Sequence, residues 1–291
     1  MQRKLHPLEG IVAGFALVFV LALSIGFARS AESAEPKPLK PAKLRSASVV
    51  VMDAGTGEIV MDKNADAVVP IASITKLMTA MVILDRGLEL DQRVVLSRDD
   101  VDTRKGSRSR LSNGAVLTRD ELLLLALMSS ENKAAAALAR TYPGGTAAFV
   151  EAMNQKASAL AMSDSLFVDA TGLSARNVSS ARDLVKLVNA AHDYPLIREY
   201  STRSRATVRV YGRPMAFGNT NGLVRNARWS IGLSKTGYIS EAGRCLVMRV
   251  QMASKDLVVV LLDSWGKNSR VGDANRIKQW LELAAARSPR I

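Results

Sequence analysis

The 291-residue chain is 48% hydrophobic and strongly basic, with a formal net charge of +13. Its single cysteine, Cys245, excludes an internal disulfide, and its two histidines are too few for the His and Cys cluster of a zinc hydrolase. We therefore expect a fold held together by its core, and a chemistry that uses neither a metal nor a cofactor.

The first 30 residues have the layout of a secretory signal peptide. Arg3 and Lys4 precede an uncharged apolar run at residues 10–27, and residues 28–30 include the small side chains that signal peptidase reads. An uncleaved anchor is the alternative, because a run of 18 apolar residues is at the lower limit for a membrane span. Both interpretations export the rest of the chain, so we expect a periplasmic protein.

Residues 31–45 are rich in Pro and Lys and predict an extended linker, which leaves residues 46–291 for the folded domain. Without residues 1–30 the chain keeps 37 basic and 26 acidic side chains, a net charge of +11. An exported basic chain meets cell-wall polymers and anionic lipid, and no motif for nucleic acid is present. Ordinary solvated surface charge is the alternative, and the sequence leaves open peripheral membrane or wall-synthesis partners.

The first predicted elements surround a Ser-x-x-Lys motif. Apolar runs at residues 48–52 and 58–61 predict a hairpin, and a helix is predicted from the turn that holds Ser73 to Leu84. At this spacing Ser73 and Lys76 share one helix face, so the amine can act as a base for the hydroxyl. That role requires burial or a second cation to lower the pKa of Lys76.

The second motif, Ser130-Glu131-Asn132, separates two apolar helices. A polar, basic loop is predicted at residues 99–113, and a capping box at Thr118 opens the first helix. Polar side chains between buried helices are costly unless they are satisfied or used. An ordinary helix-helix turn with Ser130 as an N-cap is the alternative.

Beyond two further predicted helices, the third motif, Lys235-Thr236-Gly237, lies on an apolar strand. From Thr207 the hydrophobic period is close to two, which predicts strands at residues 207–211, 215–217, 231–238, 245–252 and 257–262 before a closing helix at 274–286. Strands at both ends with helices between them predict an α+β fold. In it, one antiparallel sheet is flanked by helices and carries an inserted helical lobe.

These three motifs, in this order, are the joint signature of penicillin-binding proteins and class A β-lactamases, with Glu131 where Asp is usual. Over residues 45–291 the chain resembles the serine DD-peptidases of the low-molecular-mass penicillin-binding proteins. Within them it is most similar to the penicillin-binding protein seven type, the D-alanyl-D-alanine endopeptidases. The resemblance implies a β-lactamase/transpeptidase-like fold.

The resemblance also implies a role for each motif residue. Ser73 would be the nucleophile, Lys76 its base, and Ser130 the proton relay to the leaving amine. The implied substrate-binding residues are Asn132 for an amide, Lys235 and Thr236 of the Lys235-Thr236-Gly237 motif for a carboxylate, the backbone N–H groups of Ser73 and Tyr238 for the oxyanion, and Arg270 by its spacing.

The implied reaction is acyl transfer through a Ser73 ester on peptidoglycan stem peptides, with β-lactam antibiotics as inhibitors. The bond would be a D-Ala to diaminopimelate cross-link or, in the carboxypeptidase alternative, a terminal D-Ala-D-Ala. A β-lactamase is less compatible, because no glutamate lies between Glu151 and Glu199 to activate a deacylating water. A non-catalytic wall-binding protein is the remaining alternative, but the reactive side chains are all present.

Overall fold

The computed structural model describes residues 42–101, 105–106 and 109–287. The predicted signal peptide, most of the linker and part of the basic loop lie outside these residues. Within them, no helix has the length and hydrophobicity needed to cross a bilayer.

The described strands, in chain order, are β1 (Ser46–Asp53), β2 (Ile59–Lys63), β3 (Val69–Pro70), β4 (Arg93–Val95), β5 (Val116–Thr118), β6 (Val178–Ser179), β7 (Arg205–Val210), β8 (Arg213–Gly218), β9 (Ser230–Ile239), β10 (Gly243–Met252) and β11 (Lys255–Ser264). The helices are α1 (Thr75–Asp85), α2 (Arg119–Met128), α3 (Asn132–Arg140), α4 (Gly145–Ala159), α5 (Ala181–His192), α6 (Pro195–Thr202) and α7 (Ser269–Arg287).

The predicted α+β fold is confirmed. An antiparallel sheet has the strand order β2-β1-β11-β10-β9, so the first strands of the domain pair with its last ones, with Val50 opposite Val260. Helices α1 to α6 all lie in the chain between β2 and β9 and form the inserted lobe. Three two-stranded sheets, β3-β6, β4-β5 and β7-β8, accompany that lobe.

Alternating side chains on the central strands bury both faces of the sheet. Val50 and Val260 pack with the residues of the helical lobe, whereas Val259 packs with Ile277 of α7. Because side chains on a strand alternate between faces, this two-sided burial fixes the register of every strand, including the third motif on β9.

Helix α6 was not predicted. Pro195 occupies its first turn, shortly after the end of α5 at His192. Proline is favoured there because its fixed φ suits a helix and its missing N–H has no intrahelical acceptor at that position.

A buried carboxylate joins the start of the domain to its last helix. Asp273 of α7 is fully buried and accepts hydrogen bonds from the Arg45 and Ser46 N–H groups and from Ser46 Oγ, at 2.6–3.0 Å. Burial acts to raise the pKa of Asp273, but these hydrogen bonds and that from Arg276 outweigh it, and the pKa is lowered. The charged form is therefore the one that stabilises the fold.

We expect Asp273→Asn to lower the free energy of unfolding by about 3 kcal/mol at pH 7, because the amide presents hydrogens to donors that need an acceptor. A carboxyl with a lowered pKa stabilises the fold above its unfolded-state pKa of about 4, and this contribution is lost as pH falls through the folded-state value. Urea unfolding should thus show the two proteins converging at acid pH. Asp91→Asn, at an exposed site, is the matched control; an equal loss in both variants would contradict the assignment.

Candidate active site

The three sequence motifs meet at one place. Ser73 lies in a 3-10 turn at Ala72–Ile74 just before α1, Ser130 lies between α2 and α3, and Lys235 lies on β9. Lys76 Nζ is 2.9 Å from Ser73 Oγ, and Lys235 Nζ is 2.8 Å from Ser130 Oγ. Two hydroxyl-amine pairs therefore face the same cleft.

The Ser73 turn differs from the predicted first turn of an α-helix. Ala72 adopts a left-handed conformation with φ of +48°, which separates the 3-10 turn from the preceding strand β3. A left-handed backbone is uncommon for a residue other than glycine and needs support from its surroundings. The loop at Gly172 supplies it, since it packs so closely that a Cβ there would lie 1.9 Å from the Ala72 carbonyl oxygen.

The amine of Lys76 has three polar neighbours. Besides Ser73 Oγ, it contacts Asn132 Oδ1 at 2.7 Å and the Thr171 carbonyl oxygen at 2.6 Å. The two amide oxygens can only accept hydrogen bonds, so they take the two hydrogens of a neutral amine. The lone pair is then left for the Ser73 hydroxyl, which is the arrangement a general base requires.

Of the two causes expected for a low pKa at Lys76, burial is the one that the structure supports. The side chain is completely buried, and burial lowers its pKa to about 7, while the negative charges of Asp169 and Glu131 act in the opposite direction. The amine is therefore neutral in a large share of molecules at neutral pH.

Lys235 is also buried, and this burial and the electrostatic repulsion between the Lys76 and Lys235 amines lower the pKa of Lys235. Its pKa lies well below the usual range because of burial, with further lowering by the charges of Lys76 and Arg270. Its amine donates to Ser130 Oγ and to the Thr236 carbonyl oxygen. The Ser130 hydroxyl, which accepts this hydrogen bond, keeps its own proton available for donation.

The interpretation of Ser130 as a helix N-cap is wrong. Glu131 caps α3, because its side chain accepts a hydrogen bond from the Lys133 N–H. Ser130 instead takes a left-handed conformation with φ of +60°. Such strain at a hydroxyl residue is typical of a functional site.

Strand β9 brings the third motif against the Ser73 turn. A Cβ at Gly237 would lie 2.9 Å from the Ile71 carbonyl oxygen and 3.1 Å from Ser73 N, so only glycine permits this approach. Thr236 Oγ1 is 2.6 Å from Thr220 Oγ1, and the side chain of Tyr238, the next residue, is 57% exposed. The backbone N–H groups of Ser73 and Tyr238 thus belong to segments that meet here.

Arg270, which was assigned to the site from its spacing alone, lies on α7 and contacts the Lys235-Thr236-Gly237 motif. Its Nη1 donates to the carbonyl oxygens of Gly237 and Cys245, at 2.9 and 3.1 Å. These bonds fix the backbone of β9 and β10 beside the cleft. In this structure Arg270 therefore positions the strand backbone beside the cleft.

Sequence reasoning missed the loop that supplies Thr171. The Asp169 carboxylate accepts hydrogen bonds from the N–H groups of Thr171, Gly172 and Ser174 and so shapes this loop. The Asp-x-Thr-Gly pattern was the available signal. No cluster of three or more His, Cys, Asp or Glu side chains suited to a metal occurs in the described part of the chain.

Comparison with known proteins places this geometry in a family. The family model described as peptidase S11, D-alanyl-D-alanine carboxypeptidase, matches residues 32–266. The chain belongs to the peptidase S11 family. It is therefore a serine peptidase, and the predicted resemblance to the serine DD-peptidases is confirmed.

Two relatives share the name D-alanyl-D-alanine endopeptidase. The protein from Pseudomonas aeruginosa is 48% identical over 90% of this chain and 86% of its own length, and that from Escherichia coli is 42% identical over 93% and 88%. The crystal structure of the Streptomyces K15 DD-transpeptidase superposes with a TM-score of 0.77 at 27% identity, over 84% of this chain and all of that one. The β-lactamase/transpeptidase-like fold is thereby confirmed.

We expect Gly172→Ala to lower the free energy of unfolding by about 3 kcal/mol or more and to remove most S11 peptidase activity, because the new Cβ would displace Ala72 or the Thr171 loop. Gly57→Ala is the matched control, since Gly57 has a similar φ of +77° but no atom within 4 Å of the added Cβ. It should cost only about 1 kcal/mol, the strain of a left-handed residue. Equal losses in urea unfolding would show that close packing at Gly172 is unimportant.

Proposed function

We propose that this S11 serine peptidase is a periplasmic D-alanyl-D-alanine endopeptidase. It would hydrolyse D-Ala to diaminopimelate cross-links of peptidoglycan through a Ser73 acyl-enzyme. Residues 1–30 direct its export, residues 31–45 form a linker, and residues 46–291 form the peptidase domain. The observation that carries the proposal is the completely buried Lys76 amine, whose Nζ lies 2.9 Å from Ser73 Oγ.

Acylation begins with proton transfer from Ser73 Oγ to the neutral amine of Lys76, as Oγ attacks the D-Ala carbonyl carbon. The oxyanion of the tetrahedral intermediate accepts hydrogen bonds from the N–H groups of Ser73 and Tyr238. Asn132 and Thr236 orient the substrate amide and carboxylate. Lys235 contributes positive charge next to that carboxylate whenever its amine is protonated.

Collapse of the intermediate breaks the C–N bond and expels the diaminopimelate amine. Ser130 donates its hydroxyl proton to that amine and regains one from the protonated Lys76, so the base returns to its neutral form. Water then attacks the Ser73 ester as Lys76 accepts a proton from it. When the C–O bond of the ester breaks, Lys76 returns that proton to Ser73 Oγ, and the D-Ala carboxylic acid leaves and ionises in solvent. The number of protons on the enzyme is the same at the end as at the start.

The endopeptidase assignment is supported by the two relatives of that name, at 48% and 42% identity. Carboxypeptidase action on a terminal D-Ala-D-Ala is the second candidate, favoured by the description of the family model. A β-lactamase is disfavoured because Asp169, the carboxylate in the loop beside the amine, already accepts three backbone N–H groups. We therefore assign β-lactams the role of slowly released inhibitors.

We expect the wild-type protein to convert purified cross-linked muropeptide dimers to monomers, faster than it trims pentapeptide monomers, and to label covalently with fluorescent penicillin. Ser73→Ala should lose both properties, because it removes the hydroxyl that hydrogen-bonds the Lys76 amine and that becomes acylated. Ser158→Ala, on the exposed side of α4, is the control and should keep both. Chromatography of the digest and gel fluorescence provide the measurements. Persistent labelling of Ser73→Ala would refute the mechanism, whereas preferred trimming of pentapeptides would identify a carboxypeptidase.

We expect the rate constant of acylation by penicillin to rise with pH and to level off above an apparent pKa of about 7, because the base must be neutral. Below that value the rate should fall about tenfold per pH unit. Lys76→Arg should lose acylation at least about a hundredfold at every pH, since a guanidinium stays protonated. Stopped-flow measurements from pH 5 to 9 test this. A flat profile would exclude Lys76 as the titrating base.

A further inference from the structure

A second groove lies on the helical lobe, outside the catalytic residues. It encloses about 670 Å³ between the β4-β5 hairpin and the β7-β8 hairpin. Its walls include Arg93, Val116 and Thr118 from the first hairpin and Thr207, Arg209 and Tyr211 from the second. None of these residues takes part in the mechanism above.

Each hairpin contributes one exposed arginine to the groove. Arg93 precedes the buried Val94, and Arg209 lies between the buried Val208 and Val210, so strand alternation turns both arginines outward. Within the described residues the guanidinium of Arg93 has no hydrogen-bond or ion-pair partner, and that of Arg209 donates only to the Gly212 carbonyl oxygen. Two cations thus share a concave site without a protein carboxylate bound to either.

One acidic side chain lines the groove, but it is already engaged. Glu121 Oε2 accepts the Thr118 N–H at 2.9 Å as part of the capping box of α2, and it forms no ion pair with Arg93 or Arg209 in the described structure. The groove therefore keeps a net positive charge. A carboxylate ligand would supply the missing partner, because guanidinium groups bind carboxylates through paired hydrogen bonds.

Tyr211 forms a rigid aromatic wall of the groove. It occupies a two-residue hairpin turn with φ of +50°, a conformation that favours Asn, Asp or Gly, and its side chain is 63% exposed. Its hydroxyl donates to the Asn113 carbonyl oxygen, which holds the ring over the turn at Gly114. A strained, exposed aromatic that is fixed in this way offers a preformed contact surface.

The groove and the catalytic cleft lie at opposite ends of α2. Thr118 and Glu121 begin this helix at the groove, and Ser130 follows its last turn at the cleft. Ten helical residues span about 15 Å, which about five residues of extended peptide can bridge. A polymeric substrate can therefore occupy both sites, whereas a peptide shorter than about five residues cannot.

We propose that the groove between the two hairpins, with Arg93 and Arg209, is an exosite that binds a carboxylate-bearing stem peptide of peptidoglycan while another is cleaved at Ser73. The inference rests on the proposed substrate, whose D-Ala and diaminopimelate units carry carboxylates. Binding at the exosite raises the effective concentration of cross-links at the cleft. It serves the insoluble polymer and not isolated muropeptides.

The test compares the double variant Arg93→Gln/Arg209→Gln with Lys43→Gln/Arg228→Gln, which removes two exposed positive charges outside the groove. All binding measurements use Ser73→Ala protein and purified insoluble peptidoglycan at low salt, so they do not depend on turnover. We expect the groove variant to bind about five-fold more weakly, the effect of losing two exposed ion pairs, and the control variant to bind normally. Amidation of the peptidoglycan carboxylates should remove the difference.

Activity separates this inference from the proposed function. With Ser73 intact, the groove variant should release fewer products from the polymer but cleave soluble cross-linked dimers at the wild-type rate. Failure of the wild type to cleave the dimers would refute the endopeptidase function and leave the binding result to stand alone. Three outcomes would overturn the exosite. Both double variants could bind peptidoglycan equally well, or amidation of the carboxylates could leave the difference between them unchanged. The groove variant could also lose binding only to vesicles of anionic phospholipid.

Discussion

The burial of one amine is the constraint on which the site depends. Lys76 is enclosed by α1, α3 and the Thr171 loop, and moving a cation into such an environment costs several kcal/mol. The group avoids that cost by losing its proton, and this loss turns an ordinary lysine into a base at neutral pH. Any change that admits water to this enclosure would raise the pKa of Lys76 and weaken the base, even if Ser73 stayed in place.

The catalytic hydroxyls lie on strained backbone segments, which the surrounding helical lobe stabilises. Ala72, before Ser73, and Ser130 are both left-handed, and each such residue costs about 1–3 kcal/mol. The close approach of Gly172 supports the first, and the Glu131 cap with the buried start of α3 supports the second. The helical lobe thus does more than cover one face of the sheet, because it keeps two unfavourable backbone conformations populated.

The sequence was sufficient where local chemistry and periodicity determine structure. The capping box at Thr118 and the alternation in residues 245–252 predicted α2 and β10, and motif order predicted that Ser73, Ser130 and Lys235 belong together. It was insufficient where a contact depends on distant backbone, as with the Thr171 carbonyl oxygen, which lies 95 positions from Lys76. No spacing rule reveals such a partner. The Glu131 cap was missed for a different reason: its bond to the Lys133 N–H is local, but glutamate is not among the residues preferred at an N-cap.

The distribution of lysine and arginine follows one physical rule. At the cleft, the buried amines of Lys76 and Lys235 have pKa values lowered by desolvation, and at Lys76 the loss of charge provides the base. At the groove, Arg93 and Arg209 are exposed arginines, whose guanidinium groups can pair with a carboxylate ligand. The high net charge of the chain is thus an incomplete description, since Lys76 acts by becoming neutral, whereas the groove arginines attract a ligand by their charge.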